Sequence, residues 1–176
     1  MGDSRQLPEH SLPEKIQNLA DSGAFKAADF RLRIDGLVAQ PLELGLAALD
    51  ALPRVSIQQD FRCEEGWSVE DLGWRGIPLA DLLALCQPLP AAQALRIHSA
   101  QDEFVVPLSF DQVQNALLCD SINGERLTLE HGAPFRLVVP GDICFTSVKW
   151  VQWIELVAEA GLNDGERIAL GRLGQS

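Results

Sequence analysis

The sequence predicts a mixed α+β fold in a single domain, and three observations predict it. Strand-like and helix-like segments interleave along the 176 residues. Several neighbouring strand segments are separated by short turn signals, so they pair as hairpins rather than through the helical crossovers of a doubly wound parallel sheet. The composition, 47% hydrophobic and 22% charged, is that of one ordinary globular domain. A chain of this length buries roughly 70% of its unfolded surface, so it needs no disulfide or metal merely to fold.

Taken in order, residues 1–27 are polar and interrupted by Pro8 and Pro13, with one short helix through Ile16 and Leu19. They read as an arm lying on a domain that spans residues 28–160. Phe30-Arg31-Leu32-Arg33-Ile34-Asp35 alternates apolar and polar residues, the pattern of a half-buried strand, and Gly36 ends it. Residues 42–52 have helical spacing and stop at Pro53. Residues 55–58 begin a second strand that delivers the chain to Cys63. Pro78 suits the first turn of a helix over 79–86, where its missing N–H costs nothing. Residues 95–98 and 104–106 form a hairpin. Ser109-Phe110-Asp111-Gln112 has the form of a capping box and opens a helix through Leu118. Asn123-Gly124 is a turn signal. Residues 135–139 read as a buried strand broken by Pro140-Gly141, residues 148–157 as a long last strand, and 161–176 as a glycine-punctuated tail.

Fourteen basic and 25 acidic residues give a formal charge of −11. That excess argues against general nucleic-acid binding, which needs a basic surface to displace counterions. Residues 130–150 depart from this background, holding Arg136 and Lys149 against Glu130 and Asp142, with His131 in addition. A small anionic ligand is better tolerated there than elsewhere. The first eight residues carry neither an apolar signal core nor a twin-arginine pair, and no apolar run reaches membrane-spanning length. The expectation is a cytoplasmic chain without membrane insertion, or a periplasmic one if a leader has been removed.

The four cysteines, at 63, 86, 119 and 144, form no CxxC pair and no zinc spacing. Cys86 and Cys119 sit on apolar helical patterns and read as packing residues. Cys63 differs. In Arg62-Cys63-Glu64-Glu65-Gly66-Trp67-Ser68 it lies beside a cation, after a strand and before a turn. A neighbouring cation and a metal both favour the thiolate. A solitary soft ligand cannot hold a bare ion, so the remaining ligands would have to come from an organic cofactor. The plain alternative is a small buried hydrophobe.

These residues, followed by Trp74-Arg75-Gly76-Ile77-Pro78-Leu79-Ala80-Asp81-Leu82-Leu83, resemble the molybdopterin-binding domain of the sulfite oxidase superfamily, in its bacterial branch. The resemblance extends to residues 131–141, His131-Gly132-Ala133-Pro134-Phe135-Arg136 onward, and to Ser147-Val148-Lys149-Trp150. It spans about residues 28–158 and implies a mixed-sheet molybdopterin-binding fold. It further implies a molybdenum–molybdopterin cofactor, with Cys63 as metal ligand and catalytic residue, and with Arg62, Ser99, His131, Arg136, Ser147, Val148 and Lys149 in contact with the cofactor. An oxidoreductase transferring an oxygen atom to or from a small substrate follows, with a haem or cytochrome protein as electron partner.

The chain departs from the family at Asp142 and Thr146, where relatives carry basic residues, and at Cys144, where glycine is usual. It contains no tyrosine, which excludes an active-site tyrosine of the sulfite oxidase kind. Those departures leave two other readings open. One is a non-catalytic ligand-binding or interaction module that keeps the fold; the other is a thiol redox protein using Cys63 and Cys144. Residue by residue, Arg136 and Lys149 also read as surface charges flanking strands, His131 as a turn residue, His98 as a solvent-facing strand residue, and Trp67, Trp74, Trp150 and Trp153 as core or pocket walls.

Overall fold

Apolar Leu32 and Ile34 alternating with charged Arg33 and Asp35 commit β1 (Leu32–Gly36) to one dry and one wet face, and the first sheet grows around it. The computed structural model describes residues 7–8, 11–26, 28–62, 68–101, 104–141 and 146–161. Strand β1 pairs antiparallel with β2 (Leu42–Leu44) and parallel with β10 (Val151–Val157). On its far side β10 pairs with β5 (Ala94–Ser99), which forms a hairpin with β6 (Val105–Ser109). The inner face sends Leu32, Ile34, Leu95, Ile97, Val106, Ile154 and Leu156 into the main core. Helix α3 (Leu79–Cys86) closes that core with Leu79, Leu82 and Cys86. On the outer face, the Trp153 ring stacks on His98 with centroids 3.9 Å apart, and its Nε1 donates to Asp35 Oδ1 at 2.6 Å.

The second sheet runs β3 (Val55–Arg62), β4 (Ser68–Pro78), β7 (Leu117–Ile122), β8 (Glu125–Arg126), with β9 (Arg136–Val138) also paired to β7. Strand β7 is buried on both faces. Leu118 enters the main core, while Leu117 and Cys119 join a second cluster with Phe61, Val69, Leu72, Trp74 and Val138. Its Asp120 carboxylate, 2% exposed, accepts from Arg54 Nε and Arg126 Nη1, both at 2.9 Å. Arg54 directly precedes β3, so this buried pair fixes where β3 starts. A third cluster joins Ile16 of α1 (Glu14–Ser22) to Ala100 and Trp150. Among the described residues no helix is long and apolar enough to cross a membrane.

The elements differ from the expectations in identifiable ways. Residues 42–52 are not one helix: Leu42 and Leu44 pair with Ile34 and Leu32 across the β1–β2 ladder. Gly45 is extended, and only α2 (Leu46–Asp50) is helical. The capping box at Ser109 forms as read, with Ser109 Oγ accepting from the Gln112 N–H at 3.3 Å. It opens only α4 (Phe110–Val113), because Leu117 and Leu118 are claimed by β7; Cys119 is thus a strand residue rather than a helical one. The last strand begins at Val151 rather than at 148, since Trp150 turns the chain with φ 55°. Strand β4, 11 residues long, had no counterpart in the sequence reading.

Strands β4 and β7 approach so closely at Gly76 that a Cβ there would lie 2.4 Å from the Leu118 carbonyl oxygen. Gly76→Ala should therefore cost roughly 1–3 kcal/mol as overpacking against backbone. A lower urea midpoint checks this, and an unchanged midpoint would contradict the packing described.

Candidate functional site

Strand β9 carries Arg136 into the interior because its neighbours Phe135, Leu137 and Val138 are all buried and leave the strand no wet face. The arginine is 5% exposed. Its guanidinium carbon lies 5.1 Å from the Phe61 ring centroid and 5.3 Å from that of Trp74, so two π faces replace part of the lost hydration. Its Nε donates to Ser147 Oγ at 2.8 Å and Nη1 to the His131 carbonyl at 3.4 Å. Ser147 Oγ in turn donates to the Leu137 carbonyl at 3.1 Å. The expectation of a surface charge at Arg136 is thus corrected: the side chain is enclosed.

Lys149 arrives from the turn that precedes β10. Its Nζ donates to the Glu130 carbonyl at 2.6 Å and sits 5.6 Å from the Trp150 ring centroid. Among the described residues it makes no ion pair. Burial, together with repulsion from Arg136 and against a smaller opposing pull from Glu130, lowers its pKa to about 8. The segment 128–133 is clamped against this lysine. Trp150 N–H donates to the Gly132 carbonyl at 3.2 Å, and Trp150 Nε1 to the Leu129 carbonyl at 2.7 Å. A Cβ on Gly132, at φ 106°, would come 3.0 Å from the Lys149 Cβ, so glycine permits the contact. His131 Nδ1 lies 3.2 Å from Thr128 Oγ1.

A hollow of about 190 Å³ opens beside these groups, lined by Ser99, Gln101, Phe104, Ser147, Lys149 and Trp150. Ser99 Oγ donates to the Lys149 carbonyl at 2.9 Å. A broader cleft of about 630 Å³ lies over β3 and β4, but the charged residue on its wall is Asp71, which repels anions.

The structure therefore brings Ser99, His131, Arg136, Ser147 and Lys149 together. Val148 is fully buried in the main core, and its carbonyl accepts from the Leu137 N–H at 2.8 Å, so its side chain faces the core. Arg62 is not brought to the cluster. It alternates outward from Phe61, is 81% exposed, and lies 4.0 Å from the Asp60 carboxylate. Cys63, Trp67, Asp142 and Cys144 lie outside the described residues. Among the described residues no group of three or more His, Cys, Asp or Glu could hold a metal ion. Gln101 and Phe104 were missed, although they sit in the turn of the hairpin that carries Ser99. Phe61 was missed too, and its signal was its place two residues before Cys63.

The family model "oxidoreductase molybdopterin binding domain" matches residues 19–164. The chain belongs to that family. Its cofactor is molybdenum–molybdopterin, and its fold is the sulfite-oxidase type. The oxidoreductase YuiH of Bacillus subtilis is 32% identical over 74% of this chain and 66% of its own length. The catalytic subunit of the protein-methionine-sulfoxide reductase MsrP of Gluconobacter oxydans is 32% identical over 88% of this chain and 55% of its own. Among solved structures, the sulfane dehydrogenase SoxCD of Paracoccus pantotrophus superposes with a TM-score of 0.69 at 30% identity, covering 75% of this chain and 39% of that one. The chain thus spans between about half and two thirds of the length of those curated relatives.

The donor set fits the anionic end of such a cofactor. A buried guanidinium and a half-buried ammonium repel one another, and a phosphate between them would relieve that repulsion while gaining charge-assisted hydrogen bonds. The lowered lysine pKa gives a test of this electrostatic state. Between about pH 8 and the model-peptide value of 10.5 the unfolded chain binds the proton that the folded chain has lost, so stability rises with pH across that window. Lys149→Met removes the burden of the buried charge. Its stability relative to wild type should be highest below pH 8 and should decline as pH rises toward 10.5, read by urea denaturation across that range. A difference that does not vary with pH would show that Lys149 is not electrostatically burdened.

Proposed function

We propose that this chain performs oxygen-atom transfer on a small substrate, with Cys63 as the molybdenum ligand and with Ser99, His131, Arg136, Ser147, Lys149 and the backbone of Val148 holding the cofactor. The observation that carries this reading is the enclosed Arg136–Ser147–Lys149 cluster beside a hollow, in a chain of the molybdopterin-binding family. Phe61, two residues before Cys63 in the sequence, supports this reading, since its ring lies under the Arg136 guanidinium. Arg62 enters the same proposal through its position beside the thiol, where a cation favours the thiolate.

When bound, the cofactor supplies the two-electron change that oxygen-atom transfer requires. The chain's own work is positional and electrostatic. Arg136 presents a planar donor fork held in place by Ser147, and Lys149 adds a point charge anchored by Glu130. Trp150 and Phe104 wall the hollow and limit water. MsrP and the sulfane dehydrogenase act, by their names, on sulfur compounds, which puts such compounds first in a substrate screen. A haem or cytochrome protein is the proposed electron partner, and a formal charge of −11 suits a basic one.

The test is molybdenum and pterin content per chain, for wild type and Cys63→Ser, produced in a host that synthesises the cofactor. Wild type should carry both near stoichiometrically, and the variant should keep pterin while losing or altering its metal. Well-folded wild type with neither molybdenum nor pterin would favour the non-catalytic module instead.

A further inference from the structure

The polar groups that line the hollow are unequally committed. Ser99 Oγ spends its proton on the Lys149 carbonyl and accepts from the Gln101 N–H at 3.0 Å. Ser147 Oγ spends its proton on the Leu137 carbonyl and accepts from Arg136. One Lys149 proton is held by the Glu130 carbonyl. Gln101 borders the same hollow, and its side-chain amide makes no hydrogen bond among the described residues. Its backbone is fixed at that border: the N–H is bound to Ser99 Oγ, and the Gln101 carbonyl accepts from Phe104 N–H at 3.5 Å. Two hydroxyls that would ordinarily be taken as ligand donors are therefore committed to backbone carbonyls, and an amide with two N–H donors stands available beside them.

We propose that Gln101 is a ligand-contacting residue of this site, whose amide N–H donates to the anionic group held by Lys149 and Arg136, and that Ser99 acts mainly as a positioning residue that fixes Gln101 to Lys149. This rests on the cofactor reading above, because it takes the occupant of the hollow to be the cofactor's phosphate. The assignment follows from the hydrogen-bond inventory. A phosphate has more acceptor positions than two cations satisfy, and it needs donors that are not already spent. The Ser99 hydroxyl has only a lone pair left to offer, and a lone pair repels an anion.

The experiment uses the full chain produced in a host unable to make the cofactor, with inorganic phosphate as the probe and calorimetry as the readout. Gln101→Ala should weaken phosphate binding roughly ten-fold, the worth of one hydrogen bond to a charged group. Gln101→Glu should weaken it further at pH 7. Its deficit relative to wild type should shrink at pH 5, where a larger share of the new carboxyl is protonated and can donate. A merely structural role would not produce that pH-dependent rescue. Gln101→Ala should keep the wild-type thermal midpoint, since the amide makes no hydrogen bond among the described residues. Lys149→Ala separates the two levels. If it abolishes phosphate binding while both Gln101 variants bind like wild type, the Gln101 assignment is overturned and the cofactor reading stands. If wild type shows no saturable binding, or Lys149→Ala leaves it unchanged, the reading of the hollow as a phosphate site falls, and this inference falls with it.

Discussion

A guanidinium taken out of water must be solvated by the protein, and the groups that solvate Arg136 come from widely separated parts of the chain. Phe61 belongs to β3, Trp74 to β4, the His131 carbonyl to the segment before β9, and Ser147 to the approach to β10. None can move far without exposing charge to an apolar interior, which is among the costlier things a fold can do. The arginine therefore works as a fastener. It holds the end of the strand leading to Cys63 and the turn carrying Lys149 in one frame.

That frame is assembled at an electrostatic cost which a bound anion would offset. Arg136 and Lys149 are like charges sharing a poorly hydrated corner, and the depressed lysine pKa records the burden. The hydroxyls nearby are turned toward backbone carbonyls. Donors already fixed in space lose little freedom when an anion arrives, so more of each contact survives as affinity. The left-handed backbone of Trp150 belongs to the same arrangement. A non-glycine residue there stores strain, and it is held by the indole bond to Leu129 and by packing against Ile16 of α1.

Much of this was legible in the sequence where the signal was local. The α3 helix after Pro78, the Ser109 cap and the β5–β6 hairpin were all readable, because each rests on a residue whose backbone preference acts within a few positions. Residues 42–52 and 109–118 misled because leucines at helical spacing also satisfy a strand once a partner is present. Leu42 and Leu44 found Ile34 and Leu32, and Leu117 and Leu118 found β4 and β9. Strand β4 was hidden because it bends: its register shifts beside Asp71 and again at Gly76, so simple alternation fails along it. For the site, likeness to a family supplied the identities of Arg136, Ser147 and Lys149. It could not say that Arg136 is enclosed, that Arg62 turns away, or that the Ser99 proton is already spent. Those facts depend on which face each strand shows and on contacts more than 10 residues apart in the chain, such as that between Ser147 and Arg136.

The parallel pairing of β1 with β10 has a consequence for how the protein is made. Strand β10 sits between β1 and β5 in the first sheet, yet it is the last described strand to leave the ribosome. The sheet therefore stays split into two unpaired halves, with the apolar sides of Leu32, Ile34, Leu95 and Ile97 uncovered, until residue 157 is available to bridge them. Joining segments over 100 residues apart is slow, because loop closure precedes any reward from contact. Ser147, Lys149 and Trp150 are drawn into place by that same late strand. The corner that holds Ser147 and Lys149 is therefore not assembled before residue 157 has been made.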